Sequence, residues 1–211
     1  KVEEVDNYHI YPIADNDTPM LSADRLEYTL SNGLGACKNI WNMEDVNEIY
    51  ENIEIQKNEQ GIEELGFKDI EIAEKFVRGM RKLSNSYIDN KTKFSMQFLA
   101  DIMKIMSLQN LITKKDLYEL SEKEVIEKIE NCDYAKISQK FDMWKNAHEI
   151  KESDEKVKDK YCVSIDAKIR YINPLVNGKR ISEISEIAKE EIQKAVEFKT
   201  QKYAYLDFDN F

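Results

Sequence analysis

The sequence predicts a mainly α protein carrying a small antiparallel β module near its C-terminus. Three observations lead there. Long stretches repeat apolar residues at the three-to-four spacing of a buried helix face. One segment, YCVSIDAKIRY at 161–171, alternates instead with a period of two. Between the two regimes lies the charged run KESDEKVKDK at 151–160, a shift in composition. On this basis residues 1–150 are expected to form a helical part and residues 151–211 a small α+β module of strand, helix and strand.

The elements follow in order. Tyr8 to Pro19 alternates poorly and holds Pro12 and Pro19, so it reads as an extended or looped approach. Ala23, Leu26, Leu30 and Leu34 then fall on one helix face, with Ser22 placed to cap the first turn. Asp24, Tyr28 and Asn32 follow at i, i+4 and i+8 on another face. Gly33 and Gly35 supply the helix end. Met43 to Lys57 reads as a further helix, and Asp69 to Tyr87 as an amphipathic one through Ile70, Ala73, Phe76, Val77, Met80 and Leu83. Phe94, Phe98, Leu99, Ile102, Ile105 and Met106 make so broad an apolar face that their helix is expected at the centre of the core.

Ser121 and Glu124 have the spacing of a capping box, and Tyr134 to Ile150 reads as another helix. Lys151 to Lys160 is taken as a solvated linker. Tyr161 to Tyr171 is then a strand with one buried face, ended by Asn173-Pro174, and Asn177-Gly178 is a turn. Ile181 to Val196 is an amphipathic helix and Tyr203 to Phe208 a second strand, giving a small sheet covered by a helix.

Composition narrows the partners. The 211 residues are 42% hydrophobic, enough for a real core. Against 31 basic residues stand 41 acidic ones, a net charge of −10, which disfavours a nucleic-acid backbone or an anionic membrane as partner. Cys37, Cys132 and Cys162 are odd in number and form no CxxC pair, so they read as reduced, buried thiols. Without an apolar run long enough to span a bilayer, a cytoplasmic location is expected. His9 and His148 read as surface or capping residues rather than ligands.

Chemistry concentrates in PMLSADRLEYTLSNG, residues 19–33. Residue by residue, Asp24 suits the first turn of a helix, where free N–H groups favour a carboxylate by about 0.3–1 kcal/mol. The run SADRLEYTLSNG also resembles the segment carrying the last metal-ligand aspartate of the HD-domain superfamily of metal-dependent phosphohydrolases. In that superfamily the ligands come in the order His, then His-Asp, then a distant Asp, and Asp24 matches the last. KIRYINPLV with RISEIS further resembles the region that follows the HD core in bacterial members.

The resemblance implies a site built around a divalent metal ion, which acidifies a bound water and neutralises charge on a phosphoryl group. It implies Asp24 as a metal ligand and Tyr28 at the substrate, since an aromatic hydroxyl four residues after the aspartate lines the pocket in nucleotide-hydrolysing branches. Asn32 stands where some of those branches carry another acid. Arg25, by its position, either neutralises substrate charge or pairs with Glu27 or a neighbouring helix.

No His-Asp dipeptide occurs in the chain: His9 precedes Ile10 and His148 precedes Glu149. The first three ligands would lie ahead of Lys1, so the chain reads as the C-terminal fragment of the enzyme, inactive alone. The partners expected are a small phosphorylated substrate, a nucleotide among the candidates, and a second copy of the chain in a homo-oligomer. The rival reading is a noncatalytic helical interaction or regulatory module, with Asp24 a cap-region acid. Lys168 and Arg170, on one strand face, either bind phosphate or keep an exposed strand soluble.

Overall fold

The computed structural model describes residue 7, residues 10–36 and residues 40–211. His9 and Cys37 lie outside the described residues. Over the rest the protein is mainly α with small, antiparallel-rich sheets. Its compact units divide the chain differently from 1–150 and 151–211. One unit takes the residues up to Tyr87 together with Lys168–Lys199, and the other takes Ile88–Ala167 with Thr200–Phe211. A change of surface charge at 151 marks a change of solvent exposure, whereas the units are set by which apolar faces meet.

In the first unit, helix α1 (Ala23–Ser31) starts at Ser22, whose hydroxyl accepts from the Arg25 amide at 3.3 Å, and runs into a π-helical turn at Asn32–Ala36. Helix α2 (Met43–Glu51) opens with a reciprocal capping box between Asn42 and Asp45. The Asn42 amide, reinforced by Lys75, holds Asp45 below the usual carboxylate range.

The helix expected to Lys57 stops at Glu51, and the chain turns into a hairpin of β1 (Ile53–Lys57) and β2 (Glu63–Phe67). Beyond it α3 (Ile70–Tyr87) presents Ala73, Phe76, Val77, Met80 and Leu83 to the core, as its periodicity predicts.

Two further strands complete this sheet from far along the chain. Strand β5 (Leu175–Val176) lies parallel to β2, pairing Gly66 with Leu175 and Phe67 with Val176. It returns through Asn177-Gly178, both at positive φ, into β6 (Lys179–Arg180). Gln56 locks the arrangement: its amide nitrogen donates to the Phe67 carbonyl at 2.9 Å and its oxygen accepts from the Gly178 N–H at 2.7 Å. Glycine is required at 66, where a Cβ would lie 2.8 Å from the Gln56 side chain and 2.9 Å from the Leu175 carbonyl oxygen.

The same edge carries a buried ion pair. Glu64 is wholly buried, and Arg180 forks onto it at 2.6 and 3.0 Å while meeting Glu59 at 2.6 and 3.0 Å. Burial pulls the Arg180 guanidinium down, but the two carboxylates outweigh it and the net shift is upward. Residues Ile181 to Val196 form two helices, α8 (Ile181–Ile184) and α9 (Glu186–Val196), broken at Ser185, which caps the second. Helix α9 packs on α3 within the first unit while β7 belongs to the second, so the expected strand–helix–strand module does not form as one body.

The second unit is centred on α4 (Asn90–Leu108), whose Phe94, Phe98, Ile102 and Met106 are fully buried. Around it come the short α5 (Lys114–Glu119), α6 (Glu122–Glu130), opened by the Ser121–Glu124 capping box, and α7 (Ala135–Lys145). Helix α7 ends five residues short of Ile150, leaving His148 exposed past its end.

The stretch expected as a linker contributes β3 (Lys151–Ser153). Strand β7 (Tyr203–Tyr205) pairs antiparallel with β3 on one side and with β4 (Cys162–Val163) on the other. The strand expected over Tyr161–Tyr171 therefore keeps only two ladder residues. Lys168 and Arg170 are exposed on a segment outside any ladder, and Cys132 and Cys162 are half-buried free thiols. Among the described residues no helix is long and apolar enough to cross a membrane.

Candidate functional site

Helix α1 places Asp24, Arg25 and Tyr28, the π-helical turn after it places Asn32, and the surroundings of these four sequence-predicted site residues separate them. Asp24 sits in its first turn, exposed, its backbone N–H donating to the Ala14 carbonyl at 3.1 Å. Among the described residues, none forms a hydrogen bond or ion pair with its carboxylate. An acid that served only to cap would accept from the free N–H groups of the turn; here the Ser22 hydroxyl fills that role.

Arg25 points the other way. Its guanidinium donates to the Met20 carbonyl at 2.8 Å and to both the side-chain and main-chain oxygens of Asn16, and it pairs with Asp15 at 3.7 Å. With its side chain only 12% exposed, it fastens the loop ahead of the helix. Neither Glu27 nor a neighbouring helix is its partner, and its terminal nitrogens are committed to that loop rather than turned toward Asp24.

Tyr28 and Asn32 continue the polar stripe and are half-buried. A residue that the sequence pattern misses joins them: Tyr87, at the end of α3. The Asn32 amide donates to the Tyr87 hydroxyl oxygen at 3.0 Å, and the Tyr28 and Tyr87 rings meet edge to face, centroids 6.5 Å apart at 66°. Tyr87 is 55 residues beyond Asn32, so no local spacing could bring it forward; its only sequence signal is a tyrosine ending an otherwise apolar helix face.

Next to this stripe, on the adjoining face of α1, runs an apolar groove of about 650 Å³. Leu26 and Leu30 form one side, Met43, Val46 and Tyr50 of α2 the other, and Leu65 of β2 the floor. Trp41 fixes the spacing of its walls. The indole N–H donates to the Thr29 carbonyl at 3.2 Å, the ring stacks on Phe76, and it fits against Gly33 and Gly79, where a Cβ would come within 2.0 and 1.8 Å.

Metal-binding capacity is a separate matter. Among the described residues there is no group of three or more His, Cys, Asp or Glu side chains able to hold a metal ion. Asp24 is thus an exposed carboxylate on the same helical stripe as Tyr28, and by itself offers too few donors for a divalent cation. The chain matches no protein-family model, no curated protein and no solved structure.

Proposed function

We infer that Asp24 is one ligand of a metal-dependent phosphohydrolase site of the HD type, completed by His and His-Asp side chains that this sequence does not contain. The chain is then the C-terminal part of the enzyme, and the reaction is hydrolysis of a phosphoester, with a nucleotide as one candidate substrate. The single observation that carries this reading is the Asp24 carboxylate, exposed and without a partner among the described residues, one turn from an ordered phenol.

The described residues alone do not fit a metal ion, so no step of the reaction is assigned to this chain by itself. Its side chains do the positioning. Tyr28 borders the substrate, Tyr87, hydrogen-bonded by the Asn32 amide, packs against its ring, and Arg25 fixes the loop from which α1 departs.

The test compares three proteins: the 211-residue chain, a longer product of its reading frame that carries the His and His-Asp ligands, and that product with Asp24→Ala. Metal content and release of phosphate from nucleoside monophosphates are measured on each. The longer product is expected to hold metal and hydrolyse substrate, with both at least tenfold lower in Asp24→Ala and near background in the 211-residue chain. Equal metal and equal activity in the longer product and its Asp24→Ala variant would remove Asp24 from the site.

A further inference from the structure

The groove between α1 and α2 has a property that the metal reading does not use. Its walls are apolar and in part open to solvent: Met43 is 56% and Tyr50 69% exposed, unusual for large side chains that line a depression. Its rims are acidic. Glu27 lines the groove itself, Asp24 stands exposed one turn before it on α1, and Glu44 and Glu51, each next in sequence to a lining residue of α2, are exposed where that helix turns toward a second depression shared with Lys75.

Among the described residues, no side-chain cation is paired with these four carboxylates. Arg25 is turned to the preceding loop, α2 contains no Lys or Arg, Lys75 is engaged with Asp45 and Glu48, and the Lys68 ammonium donates to the main-chain carbonyl of Glu51 at 2.8 Å and not to its carboxylate. The lining of α2 sets a repeat that a second helix can match. Met43 and Tyr50, seven residues apart on α2, are separated by about 10.5 Å along its axis, the same interval as positions i and i+7 of a guest helix.

We propose that this groove binds an amphipathic helix of two to three turns, apolar on the face it inserts and bearing lysine or arginine along both edges. Leucine-sized side chains at i, i+3, i+4 and i+7 enter between Leu30 and Tyr50, while the basic edges meet Glu27 and Asp24 on one side and Glu44 and Glu51 on the other. The inference is independent of the metal reading: Asp24 stays intact in every variant below, and no readout is enzymatic.

The probe is a fluorescein-labelled 14-residue peptide of leucine and lysine with that spacing, and its control replaces each lysine by glutamate. Anisotropy is measured on the full 211-residue chain, on Met43→Glu/Tyr50→Glu and on Glu27→Lys/Glu51→Lys; circular dichroism verifies that each is folded, since all four positions are exposed. The leucine–lysine peptide is expected to saturate at one per chain and the glutamate control not to bind. Met43→Glu/Tyr50→Glu should weaken binding at least tenfold even though it adds two negative charges, and Glu27→Lys/Glu51→Lys at least tenfold as well. Equal or tighter binding to Met43→Glu/Tyr50→Glu would reduce the effect to general attraction by an acidic protein and overturn the proposal. It is equally overturned by no binding, by a dimer of the chain that Met43→Glu/Tyr50→Glu dissociates, or by a groove that takes the fatty-acid probe cis-parinaric acid and not the peptide.

Discussion

Replacing Arg180 by methionine should unfold the first unit well before the second. Glu64 is 0% exposed and, among the described residues, would keep only the Asn58 amide, at 3.2 Å, as a donor. Glu59, by contrast, is 47% exposed on its side chain and simply rehydrates. Removing one partner of a buried ion pair costs about 3–5 kcal/mol, because the remaining charge is left uncompensated. With a urea slope of about 2 kcal/mol/M, the midpoint should fall by about 1.5–2.5 M.

The reporter is at hand, since the chain has two tryptophans, Trp41 in the first unit and Trp144 in the second. A Trp144→Phe background therefore makes fluorescence report the first unit alone. Adding Glu64→Gln to Arg180→Met removes the stranded charge and should recover most of the loss. A single variant whose midpoint stays within about 0.5 M of the parent, or a double variant no more stable than the single one, refutes the reasoning.

Two further outcomes follow from close packing and from a phenol. Gly79→Ala would gain up to about 1 kcal/mol of helix propensity but sets a Cβ 1.8 Å from the Trp41 ring, and overpacking of that kind costs about 1–3 kcal/mol. Net destabilisation with a red shift of Trp41 emission is expected, and unchanged emission at unchanged stability would contradict it. Tyr161 donates to the Asp101 carboxylate at 2.7 Å, and burial, then that bond, push its phenol well above its ordinary value. The unfolded chain, with a tyrosine pKa of about 10, loses the proton first. Stability from this group is therefore complete below about pH 10 and declines as pH rises beyond it. Tyr161→Phe should cost about 1.5–3 kcal/mol at pH 7 and flatten the alkaline decline of the second unit in urea titrations followed by Trp144; an identical decline would assign it to other groups.

Sequence pattern located the long helices because one face of each is buried along its whole length, as with Phe76 and Met80 on α3 or Phe94 and Phe98 on α4. It also located Asp24, Tyr28 and the Ser22 cap, which depend on neighbours within two turns. It failed where partners are distant. Ile53 continues the helical spacing of Val46, Ile49 and Tyr50, and only pairing with Glu63–Phe67 makes Ile53–Lys57 a strand. Tyr161–Tyr171 alternates over eleven residues, yet β7 offers partners to two of them. Arg25 is read as a substrate cation only until Asn16 and Met20 fold back on it, and Tyr87 reaches the stripe from another helix.

The parallel seam between β2 and β5 bears on how the chain is made. Gly66 and Phe67 leave the ribosome more than a hundred residues before Leu175 and Val176, a delay of roughly 5–20 s at about 5–20 residues/s. Throughout that interval the nascent sheet has an open edge and Glu64 has no arginine to neutralise it. This sheet thus closes late and cooperatively, and a ribosome stalled before the codon for Arg180 would present an acidic, edge-exposed intermediate to chaperones and proteases.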